Sequence, residues 1–433
     1  MKEIEEILSK LKDYLKDNKP KYLYNQAFIP GKSQVLYSGP YWDENEIMAA
    51  ITTFITGKWV VAGENVHKFE SGFAKMFGVE YAQMVNSGSS ANLVLIAALK
   101  KYFGWEDGDE IILSPVGFPT TISTVVQNNL KPVFVDIEYN TLNFDVTKIE
   151  EKITPKTKAI FVSPVLGNPP DMDFLVSLCD KHGLKLIGDS CDSLGTKWNG
   201  KDLSTYYVAW SSSFYPAHHI STGEGGMVCT DILELKRLFT SFSWWGRDCY
   251  CVGSSNLLSC GTCGNRFDKW LDSYDGIIDH KYVFTNMGYN LKPMDLQGSI
   301  GLVQLTKFEE IDKKRKENKN TIEAILLKNV VGLKGVSVLP KADTCWFGTP
   351  FICEDKKLKN KLVSFLEENR IQTRNYFAGN ILIHPAYKHL DDLNNYPNAN
   401  QVLDNVFFLG ATPHYDNSVF DYIEKTFNEK WKN

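Results

Sequence analysis

Residues 213–226 read Ser-Phe-Tyr-Pro-Ala-His-His-Ile-Ser-Thr-Gly-Glu-Gly-Gly and lie between two short apolar runs, 207–210 and 226–229. Considered alone, this segment is compatible with a Tyr-Pro turn that carries two surface histidines. A histidine can also transfer protons near neutral pH, which makes His218 and His219 candidates for catalysis. The neighbouring segments decide between these two interpretations.

The two runs belong to a longer alternation of apolar runs and helical patterns. The other apolar runs are 81–85, 110–113, 132–137, 159–165 and 184–187. Helical periodicity lies between them at 90–101, 121–128 and 172–181. Strands that alternate with helices predict an α/β fold with a mostly parallel sheet and helices on both of its faces. Such sheets bind ligands at the carboxyl ends of their strands.

The composition is ordinary for a globular protein, with 43% hydrophobic and 23% charged residues in a chain of 433. The net charge of −5 gives no reason to expect nucleic acid or an anionic membrane as a partner. Residues 1–19 lack the uninterrupted apolar core of a signal peptide, and no stretch approaches the roughly 18 apolar residues of a membrane span. We therefore expect a cytoplasmic protein.

The cysteines form a second pattern that points to chemistry. In a cytosolic chain they are expected as reduced thiols, so a group of them suggests a metal before it suggests disulfides. Four thiolates are the usual ligands of a [2Fe–2S] cluster, and the same residues can hold zinc. The nine cysteines are Cys179, Cys191, Cys229, Cys249, Cys251, Cys260, Cys263, Cys345 and Cys353.

The segment 213–226 resembles the cofactor segment of sugar aminotransferases of the fold-type I pyridoxal-phosphate (PLP) superfamily, which have an aspartate-aminotransferase-like fold. In those enzymes a lysine at the position of His218 holds PLP covalently. A histidine ring has no primary amine and cannot do so, but it can act as a base. The resemblance therefore implies the branch that uses free pyridoxamine phosphate (PMP) to remove a sugar hydroxyl. His218 is the expected base, and the adjacent His219 is the alternative.

A serine-rich turn matches the phosphate site of that family. Residues 86–92, Asn-Ser-Gly-Ser-Ser-Ala-Asn, follow an apolar run and open a helical pattern. Small residues at a helix N-terminus let backbone N–H groups approach a phosphate, although the same turn is also an ordinary helix cap. The resemblance implies that Gly88, Ser89 and Ser90 bind the cofactor phosphate, with Ser213 as a further ligand.

Other residues match the part of the family site that surrounds the cofactor ring. Asp189 ends an apolar run, and the resemblance implies that it keeps the pyridine nitrogen protonated so that the ring accepts electrons. Asp192 is expected to orient the base or to contact the cofactor, and Phe118 to stack on the ring. The segment 288–292 resembles one whose asparagine, here Asn290, reaches a phosphate in the neighbouring subunit, which implies a homodimer.

The cysteine spacing is similar to that of the iron–sulfur dehydrase of 3,6-dideoxysugar biosynthesis, both in the gap between Cys191 and Cys249 and in the Cys-Tyr-Cys triplet at 249–251. The fourth cysteine ligand, after Cys251, does not follow the family spacing. Cys263 is favoured because the sequence after it resembles the family sequence, and Cys260 is the alternative. The resemblance thus implies a [2Fe–2S] cluster on Cys191, Cys249, Cys251 and Cys263. Two residues of extended chain separate Asp189 from Cys191, roughly 6–7 Å, so the cluster is expected near the cofactor ring.

The resemblance covers nearly the whole chain and implies three parts. These are an N-terminal helix and arm at 1–40, a large cofactor-binding domain at 41–300 with a cysteine-rich loop at 244–279, and a small C-terminal α+β domain at 301–433. In the C-terminal domain we predict strands at 336–339 and 346–352 and a helix at 356–368.

The nearest family by resemblance is the CDP-6-deoxy-4-hexulose 3-dehydrases of O-antigen and lipopolysaccharide biosynthesis. The resemblance implies removal of the C3 hydroxyl of a nucleotide-linked 4-keto-6-deoxy sugar, CDP-4-dehydro-6-deoxy-D-glucose. Electrons would come from a separate flavin/iron–sulfur reductase through the cluster. Arg374 and Asn380 are candidates for binding the nucleotide diphosphate or the sugar.

Two alternatives remain open. One is a cluster-free, PMP-dependent 3-dehydratase that acts on a GDP-sugar and recharges its cofactor with glutamate. The other is a non-enzymatic scaffold with a structural zinc in the 244–279 loop. The scaffold leaves unexplained why Asp189, the serine-rich turn and the Phe118 segment all remain.

Overall fold

The structure is a computed structural model that describes residues 2–20, 22–23, 27–249, 266–268 and 270–432. Its α-helices are α1 (Lys2–Asp17), α2 (Glu44–Thr56), α3 (Glu64–Met76), α4 (Gly88–Phe103), α5 (Pro119–Gln127), α6 (Met172–His182), α7 (Leu233–Ser243), α8 (Asp295–Asn329), α9 (Lys356–Glu368), α10 (Pro397–Asn400), α11 (Val402–Asn405) and α12 (Asn417–Lys430). Its strands are β1 (Tyr81–Val85), β2 (Glu110–Leu113), β3 (Lys131–Phe134), β4 (Thr157–Val162), β5 (Lys185–Asp189), β6 (Lys197–Trp198), β7 (Lys201–Asp202), β8 (Ala209–Ser213), β9 (Gly226–Thr230), β10 (Leu333–Gly335), β11 (Ala342–Asp343), β12 (Gly348–Cys353), β13 (Arg374–Asn375) and β14 (Val406–Gly410).

The central sheet contains seven strands in the order β1-β9-β8-β5-β4-β2-β3. Strands β8, β5, β4, β2 and β3 pair in parallel, and β9 runs antiparallel to both of its neighbours. In the β5–β8 pair, Asp189 lies opposite Ser211, so the carboxyl ends of these strands open on the same edge. The predicted α/β fold with a mostly parallel sheet is confirmed.

Helices cover both faces of this sheet because successive side chains of a strand point to opposite sides. In β2, Ile111 and Leu113 pack into a cluster that includes residues of α4, α5 and α7. Ile112, between them, packs into a second cluster with residues of α3, α6 and α8. Burial on both faces explains why these strands read as continuous apolar runs, and it provides about 25 cal/mol of stabilisation for each Å² of apolar surface removed from water.

A second, antiparallel sheet, β10-β12-β14-β13, lies in the C-terminal part. It shares an apolar core with α9 and α12. Helix α8 joins the two parts, since its Phe308 lies in the core of the central sheet and its Ile322 in the second core. The proposed domain boundary at 300 therefore falls inside a continuous helix, and the three-part division stays a prediction.

The C-terminal strands partly differ from the prediction. The predicted strand at 336–339 is wrong, because β10 ends at Gly335 and the chain then turns toward the loops of the central sheet. There the backbone N–H of Ser337 donates to Asn140 O at 2.8 Å, and the Asn168 amide donates to Ser337 O at 3.0 Å. The predicted helix at 356–368 is confirmed, and the Asp355 carboxylate caps its first turn.

The described residues of the predicted 244–279 loop, which are 244–249, 266–268 and 270–279, contain only turns and isolated bridges. The rest of that loop lies outside the described residues. Among the described residues, no helix combines the length and the apolar character needed to cross a bilayer.

Candidate active site

A cavity of about 680 Å³ opens at the carboxyl edge of the central sheet. Asp189, the last residue of β5, and Ser213, the last residue of β8, both line it. This volume lies within the range of small-molecule sites. The structure brings most of the predicted site residues together here, from sequence positions far apart. The predicted residues that line the cavity are Gly88, Ser89, Phe118, Asp189, Cys191, Asp192, Ser213, His218 and Arg374.

Asp189 is buried and held in place by three donors. Its Oδ2 accepts hydrogen bonds from Asn92 Nδ2 at 2.8 Å and from Thr121 Oγ1 at 2.7 Å. Its Oδ1 accepts one from the backbone N–H of Cys191 at 3.2 Å. The Asn92 amide is itself fixed by the Ser211 hydroxyl. These contacts hold a carboxylate rigidly against the cavity, which suits the stabilisation of a positive charge.

The serine-rich turn forms the N-terminus of α4. The hydroxyl of Ser87 caps the helix by accepting from the backbone N–H of Ser90 at 3.1 Å. Ser87, Gly88 and Ser89 line the cavity, whereas Ser90 is not among its lining residues. A Cβ on Gly88 would lie 2.4 Å from the Cβ of Ser213, so only glycine lets the two segments approach this closely.

His218 lies in the cavity wall with 14% of its side chain exposed. Its Nδ1 is 3.6 Å from Asp192 Oδ1, beyond hydrogen-bonding distance. Burial, reinforced by the positive charge of Arg315, lowers the pKa of His218 to about 3. Burial, together with the nearby Asp189 carboxylate, raises the pKa of Asp192 to about 7. Both shifts favour neutral partners over an ion pair, so the imidazole is held in its basic form at neutral pH.

The side chain of His219 does not line the cavity. It is buried, and its Nε2 contacts Cys345 O at 3.0 Å. Burial lowers the pKa of His219 well below its ordinary value. The geometry therefore favours His218 as the base, although that role stays a prediction. Hereafter the floor means the cavity-lining residues Asp189, Asp192 and His218, together with Asn92 and Thr121, which donate hydrogen bonds to Asp189.

Aromatic and cationic side chains form the outer part of the cavity. Phe118 is 50% exposed, and its ring meets that of Phe377 edge-on at 6.0 Å. The guanidinium of Arg374 lies 3.9 Å from the centroid of the Tyr37 ring and donates to Thr373 O at 2.7 Å. Hereafter the rim means Tyr37, Phe118, Arg374 and Phe377.

The two predicted asparagine sites lie away from the cavity. Asn290 is exposed, and its side-chain oxygen contacts Lys292. An exposed position is compatible with the predicted contact to a neighbouring subunit, which stays a prediction. Asn380 is fully buried; its amide donates to Asn400 at 2.7 Å and accepts from the backbone N–H of Leu382 at 3.0 Å. The structure thus gives Asn380 a packing role and does not bring it to the cavity.

Two of the four predicted cluster ligands are described. Cys191 lines the cavity, and Cys249 is buried. Burial, with the neighbouring Asp189 carboxylate, raises the pKa of the Cys191 thiol well above its ordinary value. Three of the cysteines considered as ligands, Cys251, Cys260 and Cys263, lie outside the described residues. Within the described residues, no group of three or more metal-binding side chains is found, and the cluster stays a prediction.

Several residues that build the site were not predicted from the sequence. Asn92 and Thr121 orient Asp189, and the signal for Asn92 was a polar residue on an otherwise apolar helix. Further lining residues come from the N-terminal arm and the C-terminal part, where no local motif marks them: Tyr37, Phe347, Asn375, Phe377 and Phe408.

The fold and the site define an aminotransferase-like protein, and the comparison with known families agrees. The chain belongs to the DegT/DnrJ/EryC1/StrS aminotransferase family, which it matches over residues 42–428. The resemblance derived from the sequence, and with it the fold-type I architecture, is therefore confirmed.

Individual relatives show which members of the family the chain is similar to. The chain is 37% identical to the dTDP-4-dehydro-2,6-dideoxy-D-glucose 3-dehydratase of Saccharopolyspora spinosa, over 98% of this chain and 91% of the relative. It is also 37% identical to the lipopolysaccharide biosynthesis protein RfbH of Salmonella typhimurium, over 93% of each chain. A solved structure of E. coli GDP-4-keto-6-deoxy-D-mannose-3-dehydratase with bound hydrated PLP is similar with a TM-score of 0.79 and 29% identity, covering 91% of this chain and 99% of that one.

Proposed function

We propose that this protein is a PMP-dependent 3-dehydrase of nucleotide-linked 4-keto-6-deoxyhexoses. The observation that carries the proposal is the position of His218, which lines the cavity at the sequence position where the family's aminotransferases have a lysine. Among the described residues that line this cavity there is no lysine. The sugar 3-dehydratases among the similar proteins support the same reaction class.

The residues present fit a vitamin B6 cofactor. Ser87, Gly88, Ser89 and Ser213 would hold its phosphate, because a helix N-terminus and hydroxyl groups converge there without intruding side chains. Asp189 would pair with the pyridine nitrogen, since its carboxylate lines the cavity and is already held by three donors. When bound, PMP supplies a primary amine that condenses with the sugar ketone and a cationic ring that accepts electrons.

His218 would carry the proton transfers. Its neutral imidazole is the form that can accept a proton at neutral pH. A short movement of the ring toward Asp192 would let Nδ1–H donate to an oxygen of that carboxyl group, leaving Nε2 with the free lone pair. The same imidazole, once protonated, can return its proton to the departing C3 hydroxyl. One residue thus serves both transfers.

We further propose that the chain holds a [2Fe–2S] cluster, which would supply electrons one at a time for reduction of the dehydrated sugar. The support is the cysteine spacing and the position of Cys191, which lines the same cavity as Asp189. Burial raises the pKa of the Cys191 thiol, and a metal cation bound there would stabilise its thiolate. Cys249, Cys251 and either Cys263 or Cys260 would complete the set.

The proposal also names the substrate, the electron donor and the oligomeric state. The substrate would be CDP-4-dehydro-6-deoxy-D-glucose, the electrons would come from a flavin/iron–sulfur reductase, and the enzyme would act as a homodimer in 3,6-dideoxysugar and O-antigen biosynthesis. A salt bridge between the rim residue Arg374 and the substrate diphosphate would explain an exposed guanidinium at the cavity mouth.

The test is anaerobic purification followed by an absorption spectrum, iron and sulfide analysis, and a turnover assay. The proposal predicts iron–sulfur bands, bound B6, and loss of the C3 oxygen from the CDP-sugar only when a reductase is present. Transfer of an amino group to the sugar would contradict the reaction.

A cluster-free 3-dehydratase is the second candidate, because a similar structure is that of a GDP-4-keto-6-deoxy-D-mannose-3-dehydratase. It would contain no iron and would turn over a GDP-sugar with L-glutamate. Adding glutamate without a reductase separates the two candidates. Zinc without iron, and no binding of PMP, would favour the scaffold instead.

A further inference from the structure

The side chain of Arg315, on helix α8, is 1% exposed and binds only main-chain carbonyls among the described residues. Its Nη1 donates to Trp346 O at 3.2 Å and to Phe347 O at 3.0 Å. Its Nη2 donates to Ala217 O at 3.2 Å and to His218 O at 3.1 Å. One guanidinium thus connects two segments that are far apart in sequence.

Both segments carry side chains of the cavity. His218 and Phe347 line it, and their rings pack with centroids 5.2 Å apart. Nδ1 of His218 has no hydrogen-bond partner among the described residues, so no side-chain hydrogen bond at this atom fixes the ring. The ring is restricted by the main chain at 217–218, by packing against Phe347, and by its contacts with Asp192 and with the backbone of Cys191.

We propose that Arg315 is a positioning residue that fixes the imidazole of His218 by holding the carbonyls of residues 217–218 and 346–347 together. The inference rests on the proposed function, because the imidazole needs such positioning only if it transfers protons. A buried charge is costly to a fold, and the four hydrogen bonds of this one all go to backbone carbonyls of the two segments beside the cavity, with Asp192 and Asp312 adding electrostatic stabilisation.

Arginine suits this role because its planar guanidinium donates in fixed directions from two terminal nitrogens. A lysine at position 315 would keep the charge but would place its three donors on a single atom. It would therefore reach one pair of carbonyls and release the other. This difference makes Arg315→Lys a conservative variant that should separate positioning from charge.

The test compares Arg315→Lys with Lys319→Met, a matched control one turn further along α8. Lys319 is also a buried cation, bound to Glu323 at 2.7 Å and lying 4.8 Å from the centroid of the Trp346 ring, but it does not bind the carbonyls at 217–218. For Arg315→Lys we expect kcat to fall about 100-fold, because a displacement of about 1 Å suffices for such a loss. We expect KM and the dissociation constant of PMP to change by less than about threefold.

Lys319→Met should lower the melting temperature and leave kcat within about threefold of the wild-type value. An unchanged kcat in Arg315→Lys would overturn the inference, as would a loss of PMP affinity that parallels the loss of kcat. A crystal structure of Arg315→Lys gives a readout that does not depend on activity. The inference predicts a displaced His218 ring in an otherwise unchanged fold, and an undisplaced ring would contradict it.

If Arg315→Lys does not fold, Phe347→Leu tests the same contact without removing the buried charge. We expect kcat to fall about tenfold with PMP affinity retained, since the ring that packs against His218, Phe377 and Phe408 is replaced while the carbonyl that Arg315 binds is kept. No effect on kcat would contradict the inference. If the wild-type protein itself lacks 3-dehydrase turnover, the proposed function fails, whereas the ring displacement in the Arg315→Lys structure still tests the positioning role.

Discussion

The floor and the rim of the cavity are built in opposite ways. Floor residues are largely buried, and Asp189 there is held by three hydrogen-bond donors. Rim residues are partly or largely exposed: Phe118 packs edge-on against Phe377, and Arg374 lies over the Tyr37 ring and donates to Thr373 O. A rigid floor suits chemistry on a cofactor ring, where small displacements are costly. A more open rim suits a large substrate that has to enter and leave.

The largest expected effect comes from replacing His218, the proposed base of the floor. His218→Asn should lower kcat by about 10³-fold or more, because proton transfer by a positioned base contributes up to about 10⁴-fold. PMP should still bind with near-normal affinity, since His218 is not part of the phosphate turn. Turnover and PMP titration measure the two quantities. His219→Asn is the control and should retain most of the activity; full turnover by His218→Asn would refute the assignment.

A second floor residue should act through the cofactor ring. Asp189→Asn removes the carboxylate and leaves its donors, Asn92 and Thr121, facing an amide. We expect kcat to fall roughly 100-fold, comparable with the loss of one preorganised electrostatic partner, and PMP affinity to fall as well. Absorption titration with PMP and steady-state kinetics check both effects. A variant with normal affinity and normal kcat would show that Asp189 does not serve the ring.

Rim residues should affect binding more than chemistry. Arg374→Ala should raise KM for the nucleotide sugar about tenfold, which corresponds to about 1.4 kcal/mol of binding free energy. It should leave kcat almost unchanged, because the guanidinium lies at the cavity mouth above Tyr37. Arg374→Lys should restore part of the affinity. A fall in kcat at constant KM would instead place Arg374 in the chemical step.

The smallest effect on activity is expected for a buried carboxyl group outside both regions. Glu70 accepts hydrogen bonds from the backbone N–H of Met84 at 2.7 Å and from Gln83 at 3.1 Å. Burial, opposed in part by Lys236, raises the pKa of Glu70 from 4.5 to about 7. The folded state therefore binds more protons than the unfolded state between these values, and stability falls as the pH rises through this window.

Glu70→Gln should remove that pH dependence without changing kcat. At pH 8 the variant should be more stable than the wild type by about 1–3 kcal/mol, and the difference should shrink toward pH 5. Urea unfolding at the two pH values measures it. Identical pH dependences of the free energy of unfolding for the variant and the wild type would show that burial does not raise the pKa of Glu70.

Secondary structure could be predicted from the sequence where a local pattern determines it. Strands β1 and β2 and the helix at 356–368 begin and end where they were predicted, since apolar runs and caps mark them. The floor was partly predictable, because Asp189 ends strand β5 and His218 lies in the segment that follows β8, and both belong to motifs. Asn92, Thr121 and Arg315 were not recognised, since each acts through a partner distant in sequence. The packing role of Asn380 was likewise invisible without its partner Asn400.

The central claim is that this chain binds its B6 group without a covalent bond, because an imidazole occupies the place of the lysine amine. The most direct test is to load the protein with PLP, treat it with borohydride and measure its intact mass and peptide masses. The account predicts the unmodified mass at every lysine, together with B6 that is released on denaturation. A phosphopyridoxyl group attached to any lysine at stoichiometric yield would contradict it.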